Sequence, residues 1–203
     1  LCKIDGIHWI RTLYTYPDKL TDDLLYAIRD EEKLCKYLDI PLQHCSDEIL
    51  KRMNRKGTKA DIEKTLSHVR EIVPNITIRT TFITGFPGET DEQFEELAEF
   101  VKAQRFDRLG CFAYSAEEDT PAATFENQVP QQTKIDRAEC IMADQLTIVG
   151  EKNAEKIDSD VEVLIEGYDN YIRCYFGRSR ADAPDVDGKI FFLASSPQHI
   201  GDY

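Results

Sequence analysis

No two cysteines in this sequence are closer than ten residues; the six stand at positions 2, 35, 45, 111, 140 and 174. That spacing excludes C-x-x-C and with it the usual pattern of zinc and cluster sites, so the chain itself is expected to hold no metal. Cys35, Cys111 and Cys174 lie in apolar segments, where a reduced thiol serves as a small core residue. Reduced thiols place the chain in the cytoplasm and argue against a disulfide framework. Long hydrophobic runs are also missing. None approaches the roughly 18 residues of a membrane span, and no signal-peptide pattern opens the chain. Histidine is sparse: His8, His44, His68 and His199 are scattered without paired-ligand spacing. Positive charge is scarce as well, with 25 Lys and Arg against 38 Asp and Glu, a net charge of −13. Such a balance excludes a surface built chiefly to grip nucleic acid phosphates. No internal repeat or low-complexity tract is present.

What is present is enough apolar residue, 41% of 203, for a packed core. The pattern alternates strand and helix. "IHWIRTLYTY" (7–16) reads as a strand stopped by Pro17, and "LTDDLLYAIRD" as a helix capped by Thr21. "KYLDIPLQ" (36–43) is a second strand. A short helix, "SDEILKRMN", leads into "GTKADIEKTLSHVREIV", where Thr58 and Asp61 have capping-box spacing. "ITIRTTFITG" is the third strand, and "TDEQFEELAEFVKAQ" the next helix, with Thr90 and Gln93 as its capping box. "DRLGCFAYS" (107–115) is the fourth strand, and a helix over about 132–156 closes this part. Four strands alternating with helices predict an α/β fold, a parallel sheet or part of a (β/α) barrel. From about residue 157 the helical period vanishes and three short strands predict a small antiparallel, barrel-like module. The expected domains are therefore 1–156 and 157–203.

Several local patterns carry no chemistry. "GFPGET" lacks the lysine and spacing of a phosphate loop. "DAPDVDG" (182–188) has Ala183 where the first carboxylate of a calcium loop belongs, and no closing glutamate. No nucleophile-elbow pattern is found. The informative signal is positional. Gln43 and His44 close one strand, Gly85 to Gly88 the next, and Tyr114 and Ser115 the one after, at the end where barrel active sites are built. At the same time a tight strand-to-helix turn, a strand cap and a rim aromatic would explain these residues without any ligand. Arg79 lies at the entering end of its strand and needs an inward-facing side chain to take part.

"YPDKLTDDLL", "YLDIPLQHCSDEILKRMNRKGT", "RTTFITGFPGETDEQFEEL" and "FDRLGCFAYSAEEDTPAA", in this order, resemble the methylthiotransferases, a radical S-adenosylmethionine enzyme family. The resemblance covers most of residues 8–125, and the β module looks like that family's TRAM domain. "YLDIPLQH" and "ADAPDVDG" are most similar to the RimO-like branch, which modifies a small-subunit ribosomal protein. It implies S-adenosylmethionine as cofactor, cleaved by a reduced [4Fe–4S] cluster to a radical that takes hydrogen from the β-carbon of an aspartate, where a methylthio group is installed. A second cluster, in an N-terminal domain, would supply the sulfur. The family's cluster loop, its N-terminal domain and first barrel strands have no counterpart here, and residue 1 is Leu. The chain is therefore expected to be a piece of a longer enzyme, cut at both ends, without activity or cluster ligands of its own.

Carried over residue by residue, the resemblance makes Gly85, Phe86, Pro87 and Gly88 the loop near the adenine, with the glycines small so that backbone can approach it. It makes Gln43 and Arg79 polar contacts to the ribose or the methionine carboxylate, and Phe112 and Tyr114 neighbours of the adenine. No catalytic residue is assigned. The runner-up readings are a tRNA adenosine methylthiotransferase and a non-catalytic module that docks on the ribosome or RNA. Charge favours the protein substrate: residues 151–203 carry 6 Lys or Arg against 11 Asp or Glu, a difference of −5. An acidic module attracts a basic ribosomal protein and repels tRNA. A monomer is expected.

Overall fold

The computed structural model describes residues 1–203. In chain order it contains β1 (Ile10–Thr12), α1 (Asp22–Asp30), β2 (Leu34–Asp39), α2 (Asp47–Arg52), α3 (Lys59–Ile72) and β3 (Thr77–Thr84). There follow α4 (Asp91–Gln104), β4 (Arg108–Ala113), α5 (Gln131–Ala154), β5 (Leu164–Asp169), β6 (Cys174–Arg178) and β7 (Ile190–Phe192). The first four strands form one sheet in the order β1-β2-β3-β4, every pair parallel. Parallel neighbours need crossovers, and the helices between the strands supply them. β5, β6 and β7 form a separate antiparallel sheet. The chain is thus α/β: a partial (β/α) barrel followed by a small β module.

Local chemistry sets the element ends. The Thr21 hydroxyl accepts the Leu24 N–H, and both expected capping boxes form, Thr58 with Asp61 and Thr90 with Gln93. α2 ends in a paired cap: Asn54, in the left-handed region at φ 55°, lets the Arg55 N–H reach Leu50 O at 2.8 Å and its own N–H reach Lys51 O at 3.1 Å. Two strands differ from expectation. The first shrinks to Ile10–Thr12, because the chain leaves the sheet through Tyr14 at φ 58° and its next two N–H groups bond to Asp39 instead. The second runs Leu34–Asp39, not to residue 43. Pro41 has no N–H to give the ladder, and only Gln43 returns, as an isolated bridge to Phe82.

Strand alternation gives the sheet two faces. Leu38, Ile78, Thr80 and Phe82 point toward the helices, where a cluster of 21 buried residues joins Leu25, Ile28, Leu66, Val69, Leu97, Phe100 and Ile141. Phe82 makes edge contacts with Phe100 and Phe106 at 6.3 and 5.8 Å, and truncating such a ring costs about 3–5 kcal/mol. The other face carries Arg11, Tyr37, Asp39, Arg79, Thr81, Ile83 and Arg108. Its amino-terminal half is covered by a strap from the β module, residues 179–187. Arg11 donates to Ser179 O at 3.2 Å and Arg180 O at 2.8 Å. Arg108 pairs with Asp182 at 2.5 Å. The Tyr37 hydroxyl donates to Asp187 at 2.7 Å, and Arg79 lies 3.6 Å from the same carboxylate. Ala183 buries itself against Cys35 and Tyr37, with Trp9 alongside. The strap fills the strand-entry half of this face and leaves the exit half open.

Candidate functional site

At the exit half, the loops after β2, β3 and β4 enclose an open cavity of 880 Å³. Gln43, Thr81, Ile83, Phe86 and Tyr114 line it, and Tyr14, Tyr16, Arg52, Arg55 and Phe125 form much of its rim. Phe86 meets Tyr114 edge-on at 5.1 Å and Phe125 at 6.2 Å, so one wall is aromatic. Two polar atoms in it are buried and have no hydrogen-bond partner: Gln43 Oε1 and the Tyr114 hydroxyl. Buried polar atoms without a partner cost about 1–3 kcal/mol each, so their survival points to a ligand that completes them. Burial pushes the Tyr114 phenol above its ordinary range. The Thr120 hydroxyl opposes this shift without meeting hydrogen-bond geometry. Gln43 sits at φ 72°, an uncommon region for a non-glycine residue, which turns its side chain out of the strand line.

A buried carboxylate ties the loops together. Glu89, its side chain fully buried, accepts the Gly85 N–H at 2.9 Å through one oxygen. The same oxygen lies 3.2 Å from His44 Nε2. The other accepts Arg137 of α5 at 2.6 Å. His44 Nδ1 accepts the Ser46 N–H at 3.0 Å, so the ring's proton sits on Nε2, facing Glu89. The exits of β2 and β3 and helix α5 thus share one polar knot. His44 belongs to this scaffold and does not line the cavity.

The sequence-predicted residues separate into three groups. Gln43, Phe86 and Tyr114 come together in the cavity. Gly85, Pro87 and Gly88 form the turn behind Phe86, and the glycines are explained differently from expectation. Gly85 (φ 71°) and Gly88 (φ 81°) both need the left-handed region, and a Cβ at either would overlap protein, Lys134 and the Arg52 guanidinium respectively. Chain path and packing therefore account for both glycines without a ligand. Arg79 and Phe112 lie elsewhere, in a second cavity of 620 Å³ between β4, α5 and the strap. Arg79 does face inward, but its guanidinium pairs with Asp39 at 2.9 Å, where Asp39 is 2% exposed.

Glu89, Arg52 and Arg55 were missed as contributors. Glu89 was hidden in an acidic helix start. The two arginines stand in "KRMNRKGTK", five cations without an acid in a chain of net −13, and that run was the available signal. The six cysteines are all free and dispersed, and no group of three His, Cys, Asp or Glu stands together to hold a metal ion.

A parallel half barrel with its cavity at the strand exits, joined to an antiparallel module, defines the class of fold. Residues 1–101 match the radical SAM superfamily and residues 157–203 the TRAM domain. A solved coproporphyrinogen III oxidase (HemN) from Escherichia coli, described as a radical SAM enzyme, shares the fold with TM-score 0.52 at 24% identity, over 79% of this chain and 34% of that one. Two curated relatives are both named ribosomal protein uS12 methylthiotransferase RimO. That from Geotalea uraniireducens (strain Rf4) is 47% identical over all of this chain and 45% of its own length. That from Thermoanaerobacter sp. (strain X514) is 47% identical over all of this chain and 46% of its length. The chain spans under half the length of these relatives. It belongs to the methylthiotransferase family of radical S-adenosylmethionine proteins.

Proposed function

We propose that this chain supplies the cofactor cavity and the β module of a radical S-adenosylmethionine methylthiotransferase that acts on an aspartate of a basic small-subunit ribosomal protein in the cytoplasm. Residues 1–156 serve as the barrel unit and 157–203 as the substrate-side module. The observation that carries this is the exit-half cavity, with two orphaned polar atoms set in an aromatic wall. Those features suit a nucleoside cofactor: Phe86 and Tyr114 offer ring faces and edges to a purine, while Gln43 Oε1 and the Tyr114 hydroxyl take hydroxyl or amino hydrogens. When bound, S-adenosylmethionine supplies hydrogen abstraction at an unactivated carbon. This chain's residues bind and orient it, and the strap below and the aromatic wall beside it limit access of water. An iron–sulfur cluster does not fit this chain's own residues, since no thiolate set converges anywhere in it.

The relatives' name, uS12 methylthiotransferase, supports the ribosomal protein as target. The charge difference of −5 over residues 151–203 supports it independently, because a basic protein is attracted where phosphate is repelled. The test is an anaerobic reaction of the full-length enzyme with the purified ribosomal protein and, separately, with tRNA, followed by mass spectrometry. Methylthiolation of an aspartate only in the protein is expected. Modification of tRNA, with the protein untouched, would overturn the proposal.

A further inference from the structure

The second cavity, between β4, α5 and the strap, lies outside the nucleoside reading. Its lining holds three cations, Arg79, Arg108 and Lys189, against four carboxylates, a balance unsuited to phosphate. Most of these charges are already matched: Arg79 with Asp39 and Asp187, Arg108 with Asp182, and Asp107 with Lys152. Lys189 sits over the Phe176 ring, 4.2 Å from its centre. Asp185 is exposed and has no cation beside it.

The walls are apolar and uncovered. α5 buries Ala138, Ile141 and Ile148, yet it also turns Met142, Leu146 and Val149 toward the cavity. A helix face outside the core ordinarily carries polar residues. Leu146 is 74% exposed and Phe112, on β4, 60%. Large apolar groups gathered around a concavity mark a docking surface, which the same groups scattered singly would not. Two buried polar atoms of the lining residues also lack partners. The Gln145 amide nitrogen donates to Phe106 O at 2.8 Å, which leaves Oε1 as an unspent acceptor on a residue 4% exposed. Arg108 spends its Nη groups on Asp107 O and Asp182 and keeps an unspent Nε–H. One free acceptor and one free donor complement the N–H and C=O of a peptide group.

We propose that this cavity docks an extended segment of the protein substrate, one that carries a large apolar side chain beside a lysine or arginine. The apolar side chain packs on Phe112 and Leu146, and the cation pairs with Asp185. This rests on the reading of a basic protein as substrate. The docked segment leads toward the cofactor cavity, because Arg79 lines one cavity and Thr81 the other. Two residues apart on one face of β3, they are separated by about 7 Å.

Steady-state kinetics of the full-length enzyme test this with Leu146→Ser and Asp185→Asn, both at exposed positions. For Leu146→Ser, KM for the purified ribosomal protein is expected to rise about 10-fold with kcat unchanged. Asp185→Asn should raise it about 3-fold at low salt, and the difference should vanish at high salt. Calorimetric binding of S-adenosylhomocysteine should be the same in both variants as in the unaltered enzyme. An unchanged KM in both variants, or weakened S-adenosylhomocysteine binding in step with KM, overturns the groove. A rise in KM confined to tRNA would make the surface a nucleic acid contact and overturns it too. An unaltered enzyme that leaves the ribosomal protein unmodified overturns the substrate reading, and this inference with it.

Discussion

Replacing Glu89 by alanine tests whether the exit-half cavity is built on its buried knot. The side chain is fully buried and takes hydrogens from Gly85, His44 and Arg137. Truncation strands Arg137, itself 6% exposed, with only Asp91 for charge, and Asp91 is open to solvent. Breaking a buried pair by removing one partner costs about 3–5 kcal/mol. For a domain of this size 1 kcal/mol shifts Tm by roughly 2–4 °C, so the variant should melt about 6–20 °C lower. Glu89→Gln keeps the shape and loses the charge, and should fall by a smaller amount, about 1.5–3 kcal/mol. The assay is thermal and urea unfolding followed by circular dichroism. A double-mutant cycle with Arg137→Ala assigns the shared part. Melting within about 2 °C of the unaltered chain for Glu89→Ala, or an additive cycle, would refute the knot as the anchor of the loops.

Gly85→Ala should destabilise by about 2 kcal/mol or more, since it adds a Cβ at positive φ against Lys134; urea unfolding with an unchanged midpoint would refute this. Asp182 gives a pH signature. Burial works to raise its pKa, but the hydrogen bonds from Ser179 and Arg108 overcome it and hold the carboxyl below the ordinary 3.8. The stabilisation is therefore complete above that ordinary value and is lost as pH falls through the depressed native one. Asp182→Asn should flatten the acid limb of the stability profile between about pH 5 and pH 2, while an unaltered limb would contradict the strap's ionic anchoring.

The parts of the fold visible in the sequence are those fixed by neighbours along the chain. Thr58 with Asp61 and Thr90 with Gln93 are three residues apart, so their caps could be recognised without knowing what else folds nearby. The strap could not. Arg11 meets Ser179 across 168 positions, and "DAPDVDG", empty as a calcium loop, works by giving Asp182 and Asp187 to arginines on two different strands. The candidate site was half visible for the same reason. Gln43, Phe86 and Tyr114 end their strands, which the pattern shows, and strand ends meet in a parallel sheet. Arg79 and the two glycines depended on partners in Asp39, Lys134 and Arg52, and nothing local announces those.

The central claim, that the cavity at the strand exits holds the cofactor, is tested most directly by a crystal structure of the full-length enzyme with S-adenosylhomocysteine. The nucleoside is predicted against Phe86 and Tyr114, with Gln43 Oε1 and the Tyr114 hydroxyl gaining hydrogen-bond partners from it. A nucleoside lying instead in the second cavity beside Arg79 and Phe112, with Gln43 and Tyr114 still unpartnered, would contradict the account.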